Sequence, residues 1–220
     1  MKLYSYYRSS SAYRVRIVLH LKRVPFELVP VNLAPGHTEQ HTDAYRAVNA
    51  FEQVPTLEWT EGGVTRRLTQ SVAIAEWLDA RFPEPPLLPD DALARARVRE
   101  AVEIVNSGTQ PLHNSSVLAL IRDEASDEAS RRFARRALER GLGALEAFAR
   151  AHGGGWCVGD ELTLADVFLV PALFAGRRYE AELSGLSTLL RIEERTRGID
   201  AFEQARPERQ PDATKAGGQT

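Results

Sequence analysis

The sequence predicts an α/β domain followed by an all-helical bundle. Short β-like runs alternate with helical patterns at the start, four prolines fall within residues 83–91, and almost no strand pattern follows them. Prolines interrupt helices and stiffen connectors. We therefore expect an α/β domain over 1–82, a linker over 83–91 and a helical domain over 92–220. Its polar tail, 206–220, is expected to be loose.

The first domain is expected to have the order β-α-β-α-β-β-α. Glu61-Gly62-Gly63 lies between two short apolar runs and indicates a hairpin. The order favours parallel pairing in the first half and antiparallel pairing in the second. The expected strands are Met1–Ser5, Phe26–Val31, Thr56–Thr60 and Val64–Leu68, and the expected helices are Ser11–Lys22, Glu39–Val48 and Ser71–Arg81.

Apolar residues at helical spacing predict about five helices in the second domain. The pattern covers Ala92–Arg122, Ser126–Ala151, Leu164–Arg178 and Leu186–Arg197. Thr163 and Asp166 have the spacing of a capping box and are interpreted as structural. Four arginines on one of these helices are interpreted as a solvated face: Arg131, Arg132, Arg135 and Arg136.

Composition disfavours several classes of function. The formal net charge is −2 and no basic block is present, which argues against nucleic-acid binding. No apolar run approaches the roughly 20 residues that span a bilayer, and no signal-peptide pattern opens the chain. The single cysteine, Cys157, is interpreted as a buried apolar residue and favours a cytoplasmic location. The five histidines show no metal-ligand spacing, so no metal is expected.

Three consecutive serines, Ser9, Ser10 and Ser11, lie between the first strand and the first helix. Serine hydroxyls at such a position accept from the free N–H groups of the helix. The same position favours a bound anion. Capping alone and capping with anion binding are both open on this pattern. Arg14 and Arg16, in the helix itself, are expected to contact solvent or carboxylates.

Two further pairs of residues indicate a binding site. A cis bond between Val54 and Pro55 would turn the Val54 backbone outward to hydrogen-bond a peptide-like ligand, whereas a trans bond would form a plain turn. Ser71 is expected to cap the next helix, and Gln70 either binds a charged group or only precedes the cap. With the serines, these residues describe a site for an extended, anionic, peptide-like molecule.

Four segments resemble the zeta class of glutathione transferases, the maleylacetoacetate isomerases. Ser9–Ile17 resembles the class motif Ser-Ser-Cys-x-Trp-Arg-Val-Arg-Ile, Gln110–Asn114 resembles Gln-Pro-Leu-Gln-Asn, and Cys157–Asp166 and Arg206–Asp212 also match. The similarity extends over nearly the whole chain. It implies the glutathione transferase fold, with a thioredoxin-like domain and an all-helical domain. Ser11 replaces the class cysteine, and His113 replaces a glutamine.

The resemblance implies that glutathione supplies the reactive thiol. Ser9 is the first choice for activating that thiol, followed by Ser10 and Ser11. Arginines suit a substrate with carboxylates because their forked donors match that group. The implied glutathione contacts are Gln40, Val54, Gln70, Ser71 and Gln110, and the implied substrate contacts are Arg8 and Arg178. Without the resemblance, Arg178 reads as an ordinary cation at a helix end.

The implied activity is glutathione-dependent cis–trans isomerisation of maleylacetoacetate or a similar maleyl diacid, such as maleylpyruvate, in aromatic catabolism. The thiolate would add to the cis double bond, the adduct would rotate, and elimination would leave the trans product. A homodimer is expected from the resemblance. The alternatives are conjugation or dehalogenation of small α-haloacids, and a non-catalytic glutathione-binding protein on the same fold.

Overall fold

The computed structural model describes residues 1–34 and 36–213. It divides into two compact units: Met1–Pro85 with the segment from Ile199 onward, and Pro86–Gly198. The α/β unit contains strands β1 (Lys2–Ser5), β2 (Glu27–Pro30), β3 (Thr56–Glu61) and β4 (Val64–Thr69), and helices α1 (Ser10–Leu21), α2 (Asp43–Arg46) and α3 (Ser71–Arg81). The sequence predicts these elements to within a few residues, except that Glu39–Val48 divides into a 3₁₀ turn, Glu39–His41, and α2.

The sheet has the strand order β2-β1-β3-β4. β1 pairs in parallel with β2, across the α1 crossover, and antiparallel with β3, which pairs antiparallel with β4. One row of leucines crosses all four strands, since Leu3 is paired with both Leu28 and Leu57, and Leu57 is paired with Leu68. Leu3 and Leu57 are fully buried, so this row fixes the register of the sheet.

The helical unit contains α4 (Ala92–Asn106), α5 (Ser115–Glu124), α6 (Asp127–His152), α7 (Leu164–Arg178) and α8 (Ser187–Thr196). The expectation of one helix over Ala92–Arg122 is wrong, because a 3₁₀ turn, Gln110–His113, separates α4 from α5. Pro111 lies in that turn and cannot continue an α-helical ladder. No helix of the described residues is long and apolar enough to cross a membrane.

A close approach between α6 and the segment before Gln110 positions this turn. A Cβ atom added at Gly141 would lie 1.9 Å from Oγ1 of Thr109, so only glycine fits at this point of α6. Thr109 is buried and donates its hydroxyl to the Ile104 carbonyl at 2.7 Å. Gly141 therefore lets the chain turn tightly after α4 and begin the Gln110 segment.

The C-terminal segment differs from the expected loose tail as far as it is described. Helix α9 (Asp200–Ala205) packs against α1 within the α/β unit, although the sequence analysis places it with the helical domain. The Asp212 carboxylate accepts the Tyr7 N–H at 2.8 Å, and the buried Gln210 amide donates to two backbone carbonyls. Polar composition misled the prediction because these side chains bond to backbone. Residues 214–220 lie outside the described residues.

Candidate functional site

Ser9 caps α1. Its backbone is extended, and its Oγ accepts the Ala12 N–H at 3.2 Å. A hydroxyl that accepts one hydrogen bond still has its own O–H to donate. The capping role therefore leaves Ser9 able to donate toward an anion at the start of α1. Ser10 is buried, Ser11 is half-buried, and Arg8 is exposed with its guanidinium carbon 5.1 Å from the Tyr7 ring centroid.

The predicted cap at Ser71 is wrong. Ser71 is the first residue of α3, Gln70 occupies the cap position, and no side chain caps this helix. The Ser71 hydroxyl instead accepts from Nη1 of Arg14 at 3.2 Å, and both residues are buried. Arg14 thus joins α1 to the start of α3 and brings a positive charge to a helix N-terminus, where an anion is already favoured.

Gln70 has a backbone conformation that is uncommon for a residue with a side chain, with φ 69° and ψ 118°. Such a conformation persists where surrounding structure holds it, and it is often found at ligand-binding sites. Gln70 is the single residue between the end of β4 and the start of α3. The Gln70 side chain itself is exposed.

Val54-Pro55 is cis and leads directly into β3. Val54 is buried and packs in one apolar cluster with Ala12 of the first turn of α1 and with Tyr45 of α2. Ala12 is also the residue whose N–H is bonded to Ser9. The first turn of α1 therefore gathers three of the predicted segments: Ser9, the Val54 edge and, through Arg14, Ser71.

Gln40 lies in the 3₁₀ turn before α2 and is buried. Its Nε2 lies 3.1 Å from Nε2 of His41. Among the described residues, its Oε1 finds no hydrogen-bond partner. A buried acceptor without a partner is costly in a folded protein. This orphan oxygen fits a donor supplied by a bound ligand.

Arg16 contradicts the expectation of solvent or carboxylate contacts even more clearly than Arg14. It is fully buried and donates to the Ser5 hydroxyl at 3.1 Å and to the carbonyls of Ala205 and Tyr7 at 3.0 and 3.1 Å. Burial lowers the pKa of Arg16 to about 10. Its contacts fix the backbone immediately before Ser9.

In the helical unit, a ring contact connects the two segments that contain the predicted residues Gln110 and Arg178. Gln110 is the first residue of the 3₁₀ turn and, contrary to the expectation, does not lie within the first helix of the bundle. His113, at the end of that turn, is buried, and its ring centroid lies 6.1 Å from that of Tyr179. Arg178 precedes Tyr179 and places its guanidinium carbon 5.3 Å from the Tyr179 ring centroid. His113 and Tyr179 thus link the Gln110 turn to Arg178.

Arg178 also lines an open cavity of about 170 Å³ between the end of α7 and the beginning of α6. The other lining residues are Glu128, Arg131, Arg132, Arg135, Tyr179 and Glu180. The interpretation of the α6 arginines as a plain solvated face is therefore incomplete. Three of them face a cavity that they share with the predicted substrate arginine.

Cys157 cannot supply a reactive thiolate. It is fully buried, and burial raises the pKa of its thiol well above the usual value, with the nearby Asp166 carboxyl adding to the effect. Asp166 accepts the N–H groups of Cys157 and Thr163, both at 2.8 Å, and completes the predicted capping box of α7. The structural interpretations of Cys157 and of the Thr163–Asp166 box are confirmed.

Sequence reasoning missed the functional position of Arg14 and the orphan oxygen of Gln40. The signal for Arg14 was present, because a charged residue sits among apolar residues in the middle of α1. A charge embedded in an apolar run indicates a buried cation with a dedicated partner. The partner, Ser71, is 57 positions away and has no local signal.

Two family models match the chain. The model described as "Glutathione S-transferase, N-terminal domain" matches residues 3–86, and "Glutathione S-transferase, C-terminal domain" matches residues 109–202. The two matches together cover most of the sequence. They agree with the thioredoxin-like strand order and with the helical unit described above.

Individual relatives are similar over their whole length. Maleylacetoacetate isomerase of Pseudomonas aeruginosa is 42% identical, covering 98% of this chain and 100% of the relative. The crystal structure of maleylacetoacetate isomerase from Anaeromyxobacter dehalogenans 2CP-1 with bound GSH in the active site has a TM-score of 0.88 and 47% identity, covering 96% and 97%. A holo structure of maleyl pyruvate isomerase, a bacterial zeta-class protein, has a TM-score of 0.90 and 36% identity, covering 97% and 100%.

Proposed function

The chain belongs to the zeta class of glutathione S-transferases, the maleylacetoacetate isomerase family, and we propose that it isomerises a maleyl diacid with glutathione as cofactor. The observation that carries this proposal is the gathering of Ser9, the cis Val54-Pro55 edge and Ser71 around the first turn of α1. Relatives named for isomerisation of maleylacetoacetate and maleylpyruvate agree in fold over the full chain.

The residues of the α/β unit fit glutathione as a peptide-like anion. The Val54 backbone, at the cis edge, would pair with the peptide groups of the tripeptide. Gln70 and Ser71 lie at the positive end of α3 and would hold the γ-glutamyl carboxylate and amine. Gln40, with its buried orphan Oε1, would accept a donor from the tripeptide.

Ser9 would orient its O–H toward the sulfur and stabilise the thiolate. A thiolate is favoured by a hydrogen-bond donor and by the positive end of a helix, and both meet at the start of α1. When bound, glutathione supplies the nucleophile that converts the cis double bond transiently into a rotatable single bond. The serine run holds the charge, and Ser11 in place of the class cysteine is compatible with this role because the reacting sulfur comes from glutathione.

Arg8 and Arg178 would both contact the diacid: Arg178 would hold a carboxylate, and Arg8 would stabilise the enolate-like charge that develops when the thiolate adds. Guanidinium groups stay protonated at neutral pH and bind carboxylates through two parallel hydrogen bonds. Arg8 is exposed beside the serine run, and Arg178 lines the cavity of the helical unit. Gln110 would contribute a further contact to glutathione or substrate from the 3₁₀ turn.

An assay with maleylacetoacetate and maleylpyruvate in parallel, each with and without glutathione, tests the proposal. We expect isomerisation of at least one diacid, dependent on glutathione and reduced in the variant Ser9→Ala. Matched controls are Ser126→Ala, which removes an equivalent helix cap on α6, and the wild type with S-methylglutathione, which has no free thiol. Turnover of neither diacid would reject the proposal.

The two alternatives predict different results in the same experiment. A transferase or dehalogenase would release halide from a small α-haloacid with glutathione while leaving both maleyl diacids unchanged. A non-catalytic protein would bind glutathione and turn over no substrate. Glutathione affinity from calorimetry, halide release and diacid isomerisation together separate all three.

The proposal includes a homodimer, which follows from the resemblance, and a cytoplasmic location, which follows from the composition. Light scattering tests the first part, since a dimer has twice the 24.5 kDa mass of the chain. Fractionation of cells that express the native chain tests the second.

A further inference from the structure

A charged stripe on α6 lies opposite the predicted substrate arginine. Glu128, Arg131, Arg132 and Arg135 follow one another at spacings that place them on a single helical face. The end of α7 closes the same cavity with Arg178, Tyr179 and Glu180. Arginines from two segments that are about 45 residues apart in the chain therefore line the same cavity.

The cavity is positive although the chain is not. Four arginines and two glutamates line it, a formal charge of +2, whereas the whole chain carries −2. Arg132 uses Glu128 as its partner at 3.4 Å. Within the described residues, Arg131, Arg135 and Arg178 form no ion pair with a carboxylate. Three guanidinium groups thus remain available to an anion.

Helix energetics favour an occupant. Arg131 and Arg135 are four residues apart, a spacing at which like charges repel on a helix. An anion held between them would remove that repulsion and would gain charge-assisted hydrogen bonds. The volume, about 170 Å³, is several times the about 30 Å³ occupied by one water molecule in the liquid, so a small organic anion fits.

We propose that this cavity is a dicarboxylate site, in which Arg131 and Arg135 of α6 bind a second carboxylate beside the one assigned to Arg178. The three arginines together match a dianion and would discriminate it from a monoacid, which satisfies only part of the set. That the natural dianion is a maleyl diacid rests on the proposed function. Binding of a small dianion to the cavity does not rest on it.

Calorimetry with malonate, and with acetate as the monoacid, tests the site on the whole chain without glutathione. The variant Arg131→Gln/Arg135→Gln is expected to raise the malonate Kd at least about tenfold, since hydrogen bonds to charged groups are lost. The matched control is Arg136→Gln/Arg140→Gln, which removes the same charge from exposed positions of α6 outside the cavity lining. We expect the malonate Kd of the control to change less than twofold. In the wild type and in every variant, acetate is expected to bind more weakly than malonate.

Equal weakening of malonate in the two double variants would overturn the site, because it would show only a diffuse charge effect. Absence of malonate binding to the wild type would overturn it as well. If the cavity variant fails to fold, the wild type is treated with phenylglyoxal with and without malonate, and mass spectrometry measures the modification of Arg131 and Arg135. Malonate is expected to protect both arginines. Modification that malonate does not change would reject the site. If the wild type binds malonate but has no isomerase activity, and the cavity variant loses malonate binding, the dianion site is supported and the proposed function is rejected.

Discussion

The N-termini of α7 and α3 differ in whether side chains cap their first backbone N–H groups. At α7, Thr163 and Asp166 are buried and satisfy the first N–H groups with a closed capping box. At α3, Gln70 holds an uncommon backbone conformation, no side chain caps the helix, and Ser71 is held by Arg14. A helix start whose donors are satisfied internally serves stability, whereas one that leaves its donors open serves a ligand.

The largest expected effect is a loss of stability on substitution at the capped helix start, that of α7. Asp166→Ala removes the acceptor of two buried N–H groups and should lower the free energy of unfolding by about 2–4 kcal/mol. Glutathione affinity of the folded fraction should stay unchanged. Urea denaturation and calorimetry measure the two quantities, with Glu161→Ala, an exposed neighbouring acid, as the control. A loss of affinity equal to the loss of stability would remove the distinction between the two helix starts.

Ser71→Ala tests whether the uncapped start of α3 binds glutathione. Loss of a hydrogen bond to a charged group is worth about 1.5–3 kcal/mol, so the glutathione Kd should rise about ten- to hundredfold. Ser187 is also the first residue of its helix, α8, and Ser187→Ala should leave the Kd unchanged. An unchanged Kd in Ser71→Ala would exclude this serine from the glutathione site.

Ser9 caps α1 and is also proposed to contact the glutathione thiolate, so we expect its substitution to have an intermediate effect. Ser9→Ala should cost about 1 kcal/mol of stability through the lost cap. It should also raise the pKa of the bound glutathione thiol, which ultraviolet titration of the complex measures. Ser126→Ala removes a serine cap on α6 that likewise accepts the N–H three residues further on, and should cost similar stability without any effect on that pKa. Equal thiol pKa values in the two variants would assign Ser9 to capping alone.

The smallest effect concerns the backbone of Gln70. Gln70→Gly relieves an unfavourable φ at the cost of a more flexible unfolded chain, so stability should change by about 1 kcal/mol or less. Glutathione should bind more weakly because the amide is lost. Glu180 has a φ of 57° in the helical unit, and Glu180→Gly should change stability similarly and glutathione affinity not at all. Tighter binding by Gln70→Gly would show that the conformation has no functional reason.

The sequence predicts those parts of the fold that depend on local patterns. Strand and helix bounds in the α/β unit and the capping box of α7 follow from spacing and turn chemistry, whereas the Val54-Pro55 pattern left the cis and trans forms open and the structure has the cis form. These features depend on residues within a few positions of one another. The same patterns predict the residues of the candidate site because the serine run and Gln70-Ser71 lie at strand-to-helix junctions.

Features that depend on distant partners escaped prediction. Ser71 has the local signature of a cap, but Arg14 engages its hydroxyl from another helix. Arg16 has the signature of a surface cation, but Ala205, at the other end of the chain, supplies its carbonyl. The 3₁₀ turn at Gln110 interrupts the helix that the apolar spacing predicts. Pro111 is a local signal for this interruption, whereas the close approach of Gly141 and Thr109 has no local pattern.

The bonds of Asp212 to Tyr7 and of Ala205 to Arg16 have a consequence for biosynthesis. The backbone that precedes Ser9 leaves the ribosome well before its partners, which are more than 180 residues downstream. A nascent chain that has not reached Asp212 can form the sheet but cannot fix this backbone. The proposed thiolate site is therefore expected to be completed only after Asp212 has been translated.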